Sequence, residues 1–177
     1  SLGIDLPKQV FGHGWLIIDG GKISKSLGNY KDPREYISSY GVDAVRYFAL
    51  REVPFGNDGN FSEDALISRT NSDLVNTYGN LVNRTIAMSK KYFDSVVTNP
   101  NVYEEVDNSV INYAKELPSI VYEKMDSLKV NEALESIFEL LKKCNKYIDD
   151  TTPWILAKDE TKSDRLKTVL YNLLEGI

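Results

Sequence analysis

Residues 131–149 read NEALESIFELLKKCNKYID, and this stretch decides the fold. Leu134, Ile137, Phe138, Leu141, Cys144 and Ile148 recur at intervals of mostly three and four, the spacing that lines one side of an α-helix. Charged residues such as Glu135, Glu139, Lys142 and Lys146 fall between them. An apolar face this wide needs other apolar surface against it. That is the requirement of a core helix in a bundle.

Working outward, the same pattern continues on both sides. Asp149-Asp150-Thr151-Thr152-Pro153 reads as a corner, and a final helix starts near Ser163 with Leu166, Val169, Leu170, Leu173, Leu174 and Ile177 on one stripe. Upstream, the spacing predicts a helix over about 103–117 that stops before Pro118, then a second over 119–127. A long helix is expected from Ser62, a good N-cap followed by Glu63 and Asp64, to about Phe93. Its buried stripe reads Leu74, Tyr78, Leu81, Val82, Thr85 and Met88, and Asn99-Pro100 ends the region.

The first third has a different grain. Val10 to Ile18 is apolar apart from Gly12, His13 and Gly14, and it runs into Asp19-Gly20-Gly21, the pattern of a strand entering a tight turn. Asp32-Pro33 offers an N-cap and an N1 proline, and Gly41 the matching stop. A second helix is expected over 42–52, with Val42, Val45, Phe48 and Ala49 on one side. The turn-forming run Pro54 to Phe61 places a domain boundary near 61. The expected fold is mainly α: a small α/β unit at 1–61, then a helical bundle at 62–177. Both ends look cut, since the chain opens without methionine and closes inside an amphipathic pattern, which reads as an excised fragment.

Composition narrows the function. No window approaches the ~18 apolar residues of a membrane span, and there is no signal-peptide pattern at the start, so cytoplasm is the default compartment. Cys144 is the single cysteine, which excludes an internal disulfide and any multi-cysteine zinc site; its place on the apolar stripe marks it as a small buried hydrophobe. Residues 1–61 are balanced in charge, and residues 62–177 carry the whole net charge of −5. Nucleic acid bound by the second part must therefore be held by local contacts rather than a long-range field.

Three features carry chemistry. In Gly21-Lys22-Ile23-Ser24-Lys25-Ser26-Leu27-Gly28-Asn29, two lysines supply point positive charge, two serines supply hydroxyls, and the glycines let backbone amides approach a ligand. This is the chemistry of a loop that meets polyphosphate. On the long helix, Asn76, Asn80, Asn83 and Arg84 form one polar stripe around Gly79. Asparagine costs a helix roughly 0.5 kcal/mol relative to alanine, so the stripe is either a face that reads base edges or a polar face with a glycine for close packing. Trp154 follows a proline at the corner, where it either packs at the rim or presents a stacking platform. His13, the only histidine, sits between glycines and reads as structural; Trp15 reads as packing.

The segment Lys22-Ile23-Ser24-Lys25-Ser26 resembles the KMSKS signature of class I aminoacyl-tRNA synthetases, with Ile23 where methionine is usual. Phe11-Gly12-His13-Gly14-Trp15, Asp43-Ala44-Val45-Arg46-Tyr47, Asn71-Ser72-Asp73-Leu74, Gly79-Asn80-Leu81, Arg84 and Pro153-Trp154 extend the resemblance, in order, to methionyl-tRNA synthetases over nearly the whole chain.

That resemblance implies amino-acid activation. Methionine's carboxylate attacks the α-phosphorus of ATP carried with Mg, pyrophosphate leaves, and the adenylate acylates tRNA(Met). Lys25 first and Lys22 second would be catalytic, neutralising charge on the departing pyrophosphate, and Lys22, Ile23, Ser24, Lys25 and Ser26 together would bind ATP. Asn80, Arg84 and Trp154 match the family's anticodon-reading residues, which makes 62–177 an anticodon-binding helical bundle and 1–61 a connecting, stem-contact domain. Asn76 and Asn83 have no such match and stay outside the assigned site.

Two departures limit the resemblance. The His-x-Gly-His motif that class I enzymes pair with the lysine loop is absent, and so are the catalytic nucleotide-binding fold and the family's zinc-binding insertion. An N-terminal catalytic domain is therefore missing, and this chain alone is expected to perform no adenylation. The alternatives are another class I ligase of the leucine, isoleucine, valine or cysteine type, or a helical interaction module with no nucleic-acid role.

Overall fold

The computed structural model describes residues 3–18, 21–24, 26, 28, 30 and 32–177. The fold is mainly α, with one small sheet. Strand β1 (Leu16–Ile18) pairs antiparallel with β2 (Gly21–Lys22) and parallel with β3 (Gly59–Phe61), in the order β2-β1-β3. The expected strand from Val10 is shorter than its apolar run. Pairing begins only at Trp15, whose carbonyl accepts from the Gly59 N–H at 2.9 Å; residues 10–14 have no strand partner, and Val10 is exposed, because Gly12 and Gly14 weaken an extended segment. Gly14 instead lies so close to the 54–58 turn that a Cβ would collide with the Asn57 carbonyl.

Parallel pairing of β1 and β3 needs a crossover, and helices α1 (Pro33–Tyr40) and α2 (Val42–Glu52) supply it. Their ends match the sequence signals. The Arg34 amide donates to Asp32 Oδ1 at 2.9 Å, Pro33 opens the helix, and Gly41, at φ +83°, donates its N–H to the Ile37 carbonyl. Phe48, Phe61 and Leu66 close a small core here, with the Phe48 and Phe61 rings edge to face at 5.3 Å.

From Ser62 the chain runs as one continuous helical path. Ser62 Oγ accepts from the Ala65 amide at 3.0 Å and starts α3 (Glu63–Arg69). A π-helix (Thr70–Gly79) follows, then α4 (Asn80–Phe93), which ends at Asp94 with φ +49°. The path matches the expected long helix, but the π segment does not appear in the sequence pattern. Winding on i→i+5 bonds shifts the phase of a 3.6-residue stripe, and Tyr78, expected to be buried, is 42% exposed.

Helix α5 (Asn108–Asp126) contains Pro118 in its interior. The expected break into 103–117 and 119–127 does not occur, and residues 101–104 are not helical. An interior proline costs roughly 3 kcal/mol. The packing of α5 along α6 (Val130–Thr151), with Val110, Tyr113, Ala114 and Leu117 in the shared core, outweighs that cost.

Helix α6 is the central element, as its pattern predicts. Phe138, Leu141, Cys144 and Ile148 are buried, but Ile137 is exposed, and Ser136 and Tyr147 take core positions instead. Burial pushes the Cys144 thiol up to about 11, as expected of an inert core cysteine. The short helix α7 (Pro153–Leu156) turns the corner, and α8 (Ser163–Glu175) lays Leu166, Val169, Leu170 and Leu173 into the core.

A buried polar cluster joins α6, α8 and the turn before α5. Arg165 on α8 donates to Asp107 Oδ1 at 2.6 Å and to Oδ2 at 2.8 Å, and Tyr147 donates to Oδ1 at 2.6 Å. Burial alone would raise the Asp107 carboxyl; the bonds from Arg165, Tyr147 and the Glu104 amide overcome it and hold the group below the ordinary carboxylate range.

Candidate functional site

The lysine loop begins inside the sheet. Gly21 and Lys22 form β2, so Lys22 is anchored by backbone pairing to Ile17 and is not on a free turn. Its Nζ lies 5.8 Å from the centre of the Trp15 ring, within cation–π range. Ile23 and Ser24 are half-buried, and the Ser24 and Ser26 hydroxyls are hydrogen-bonded at 2.7 Å. Lys25, expected as the leading catalytic residue, lies outside the described residues. His13 is exposed, with Nδ1 2.8 Å from the Gly14 carbonyl oxygen and its ring edge-on to Phe55 at 5.8 Å, a structural placement.

The second group of residues lies on the bundle. Asn80 is the first residue of α4 and exposed; its backbone N–H donates to the Val75 carbonyl, and its side-chain amide makes no hydrogen bond among the described residues. Arg84 stands one turn further on the same helix and donates through Nη2 to Asp149 Oδ1 at 3.1 Å. Asp149 belongs to the last turns of α6, and Trp154 follows on α7 with 42% of its surface exposed. Thr152, at φ +43°, and the buried Pro153 set the direction of that corner. The structure therefore ties Arg84 to the corner that presents Trp154, and it leaves Asn80 on the adjoining turn of α4. The Arg84 and Asp149 side chains are 32% and 67% exposed, so their ion pair contributes ~0–1 kcal/mol and holds the guanidinium lightly. Amide, guanidinium and exposed indole together suit unpaired bases, which are recognised by stacking and edge contacts.

A polar junction connects the first part of the chain with the long helix. Tyr47 donates to the buried Asp73 at 2.6 Å, Arg69 pairs with both Asp73 and Glu52, and the Tyr47 ring lies 5.2 Å from that of Phe138. Sequence reading missed both Asp149 and this junction. Their partners are distant in the chain, and only the tertiary fold brings them together. Among the described residues no group of three or more His, Cys, Asp or Glu side chains converges, so they offer a metal no donor set.

Comparison with known proteins places this geometry. The family described as tRNA synthetases class I (M) matches residues 1–86. The methionine–tRNA ligase of Caldanaerobacter subterraneus subsp. tengcongensis is 59% identical over all of this chain, which covers 28% of that protein. The methionine–tRNA ligase of Clostridium perfringens is 57% identical over all of this chain, which covers 27% of that protein. The Mycobacterium tuberculosis methionyl-tRNA synthetase in complex with methionyl-adenylate superposes with a TM-score of 0.90 at 42% identity, over 97% of this chain and 34% of that one. The apo form of that enzyme gives 0.85 at 38% identity, over 97% and 33%. Over its whole length the chain is thus similar to one segment of class I aminoacyl-tRNA synthetases. Within that class it belongs to the methionyl-tRNA synthetase family, and it spans little more than a quarter of the length of the curated relatives cited here.

Proposed function

We propose that the full-length protein containing this chain is a methionine–tRNA ligase. In the first step a methionine carboxylate oxygen bonds to the α-phosphorus of ATP, the bond to the β-phosphate bridge breaks, and pyrophosphate leaves. In the second, a terminal ribose hydroxyl of tRNA(Met) attacks the adenylate carbonyl, and AMP leaves. The chain would contribute to each at a different place. Lys25 and Lys22, with Ile23, Ser24 and Ser26, would meet the ATP phosphates, where preorganised positive charge is worth several kcal/mol as the pyrophosphate departs. Asn80, Arg84 and Trp154 would read the anticodon.

The observation that carries this reading is identity at 55–59% with methionine–tRNA ligases across all 177 residues, so that loop and triplet come together in one family context. In domain terms, 1–61 is a connecting domain at the end of the catalytic region and 62–177 an anticodon-binding bundle. Mg enters with ATP as substrate. Among the described residues no three His, Cys, Asp or Glu side chains gather into a zinc-ligand set. Cytoplasm is the expected site of action, and among the described residues no helix is long and apolar enough to cross a membrane.

The test is methionine-dependent pyrophosphate exchange and tRNA charging by the full-length protein. Exchange driven by another amino acid in preference to methionine would overturn the assignment.

A further inference from the structure

From Leu74 to Phe93 the chain has no carboxylate at all, while it carries Arg84, Lys90 and Lys91. On a chain of net charge −5 this is a stretch complementary to phosphate. Along its outer side, Tyr78, Val82, Asn83, Ile86 and Lys90 frame an open groove of about 520 Å³. Tyr78 is 42% and Ile86 50% exposed, large side chains that the bundle leaves partly open to solvent. Asn83 is exposed, its side-chain amide makes no hydrogen bond among the described residues, and Lys90 pairs with no carboxylate among them. Asn83 lies three residues after Asn80 and directly before Arg84, so the groove occupies the neighbouring flank of α4, about 100° round the helix axis from the side that carries Arg84.

We propose that this groove seats a further unpaired RNA base, flanking the three that Asn80, Arg84 and Trp154 would read. The inference rests on that reading of the triplet. The base would lie with its face on the Tyr78 ring and its rim against Ile86 and Val82. The Asn83 amide, with both donor and acceptor, would meet its edge, and Lys90 the adjoining phosphate. RNA fits better than a protein partner. A protein helix would be matched by an apolar stripe alone, whereas here an aromatic ring, an unbonded amide and an unpaired cation line one groove on an acid-free helix.

The test uses the full-length ligase and fluorescently labelled methionine anticodon stem-loops, read by anisotropy. One RNA has the natural loop, and others carry an abasic sugar at each unpaired position flanking the triplet. Tyr78→Ala is expected to weaken binding of the natural loop about tenfold, and Asn83→Ala less. Tyr78→Phe, which keeps the stacking face, stays within about twofold of wild type. The Tyr78→Ala loss should vanish against the one RNA that lacks the seated base. A loss equal for every RNA would overturn the base seat, as would no loss while Trp154→Ala still weakens binding. No loss from either variant would overturn the triplet reading as well. A changed oligomeric state on size exclusion with RNA affinity unchanged would make the groove a protein interface instead. Thermal melts of each variant report whether the fold is intact.

Discussion

Arg165 and Asp107 meet as a two-pronged ion pair inside the bundle, their side chains 6% and 1% exposed, and they are 58 residues apart in the chain. The pair joins α8 to the turn before α5, and Tyr147 ties both to α6. Charges this deeply buried are costly to leave alone. Removing one partner of such a pair typically destabilises by about 3–5 kcal/mol, because the other remains uncompensated. Arg165→Met should therefore lower the unfolding free energy by that order in a urea titration. A loss under about 1 kcal/mol would show that water reaches Asp107.

The same carboxyl sets a pH dependence. Its folded-state pKa lies below the ordinary value, which is about 3.9 for an unfolded aspartate. Its contribution is present above that unfolded value and is lost as pH falls through the lower, folded one. Wild-type stability should thus drop steeply below about pH 4, and Asp107→Asn, less stable at neutrality, should show a shallower acid limb. Parallel limbs for the two proteins would remove Asp107 as the source.

Tyr47 joins the first part of the chain to the long helix through its bond to Asp73. Tyr47→Phe deletes one hydroxyl and leaves the ring contact with Phe138 in place. Loss of one donor to a buried acceptor should cost about 1–3 kcal/mol in chemical denaturation. Asp73→Asn should cost a similar amount, and the double variant less than the sum, since both act on one bond.

In the full-length enzyme, Lys25→Ala should slow methionine-dependent pyrophosphate exchange by roughly 10²–10³-fold while the methionine KM stays nearly constant, the signature of an interaction made in the transition state. Lys22→Ala should cost less. Exchange rates for Lys25→Ala within about threefold of wild type would end the catalytic reading of the loop.

Trp154→Ala should weaken binding of the methionine anticodon stem-loop to the full-length protein by about 1–3 kcal/mol. Unchanged affinity for Trp154→Ala would remove this residue from the interface.

How much of this was legible in the sequence depends on how local each signal is. Asp32-Pro33, Gly41 and Ser62 mark helix ends through contacts within four residues, and the structure has helix ends at each. Pro118 misled because its local cost is real but the packing that overrides it comes from α6. Tyr147 and Ser136 were invisible as core residues because their polar atoms are satisfied by Asp107, 40 residues away, and by the Glu132 carbonyl. The triplet was named by resemblance, not by pattern. Arg84's ion-pair partner, 65 residues distant, had no sequence signal.

The π-helix between Thr70 and Gly79 has a further consequence. A stretch wound on i→i+5 bonds holds more residues per turn than an α-helix, so it stores slack. Loss of one residue there can be absorbed by tightening the winding, with the Ser62 cap and the Asn80–Arg84 side of α4 both kept in phase. Loss of one residue between Asn80 and Arg84 has no such reserve and would swing the guanidinium about 100° around the helix axis, away from the Trp154 corner. The wide turns thus act as a spacer ahead of α4, tolerant of length changes that the Asn80–Arg84 spacing itself cannot accept.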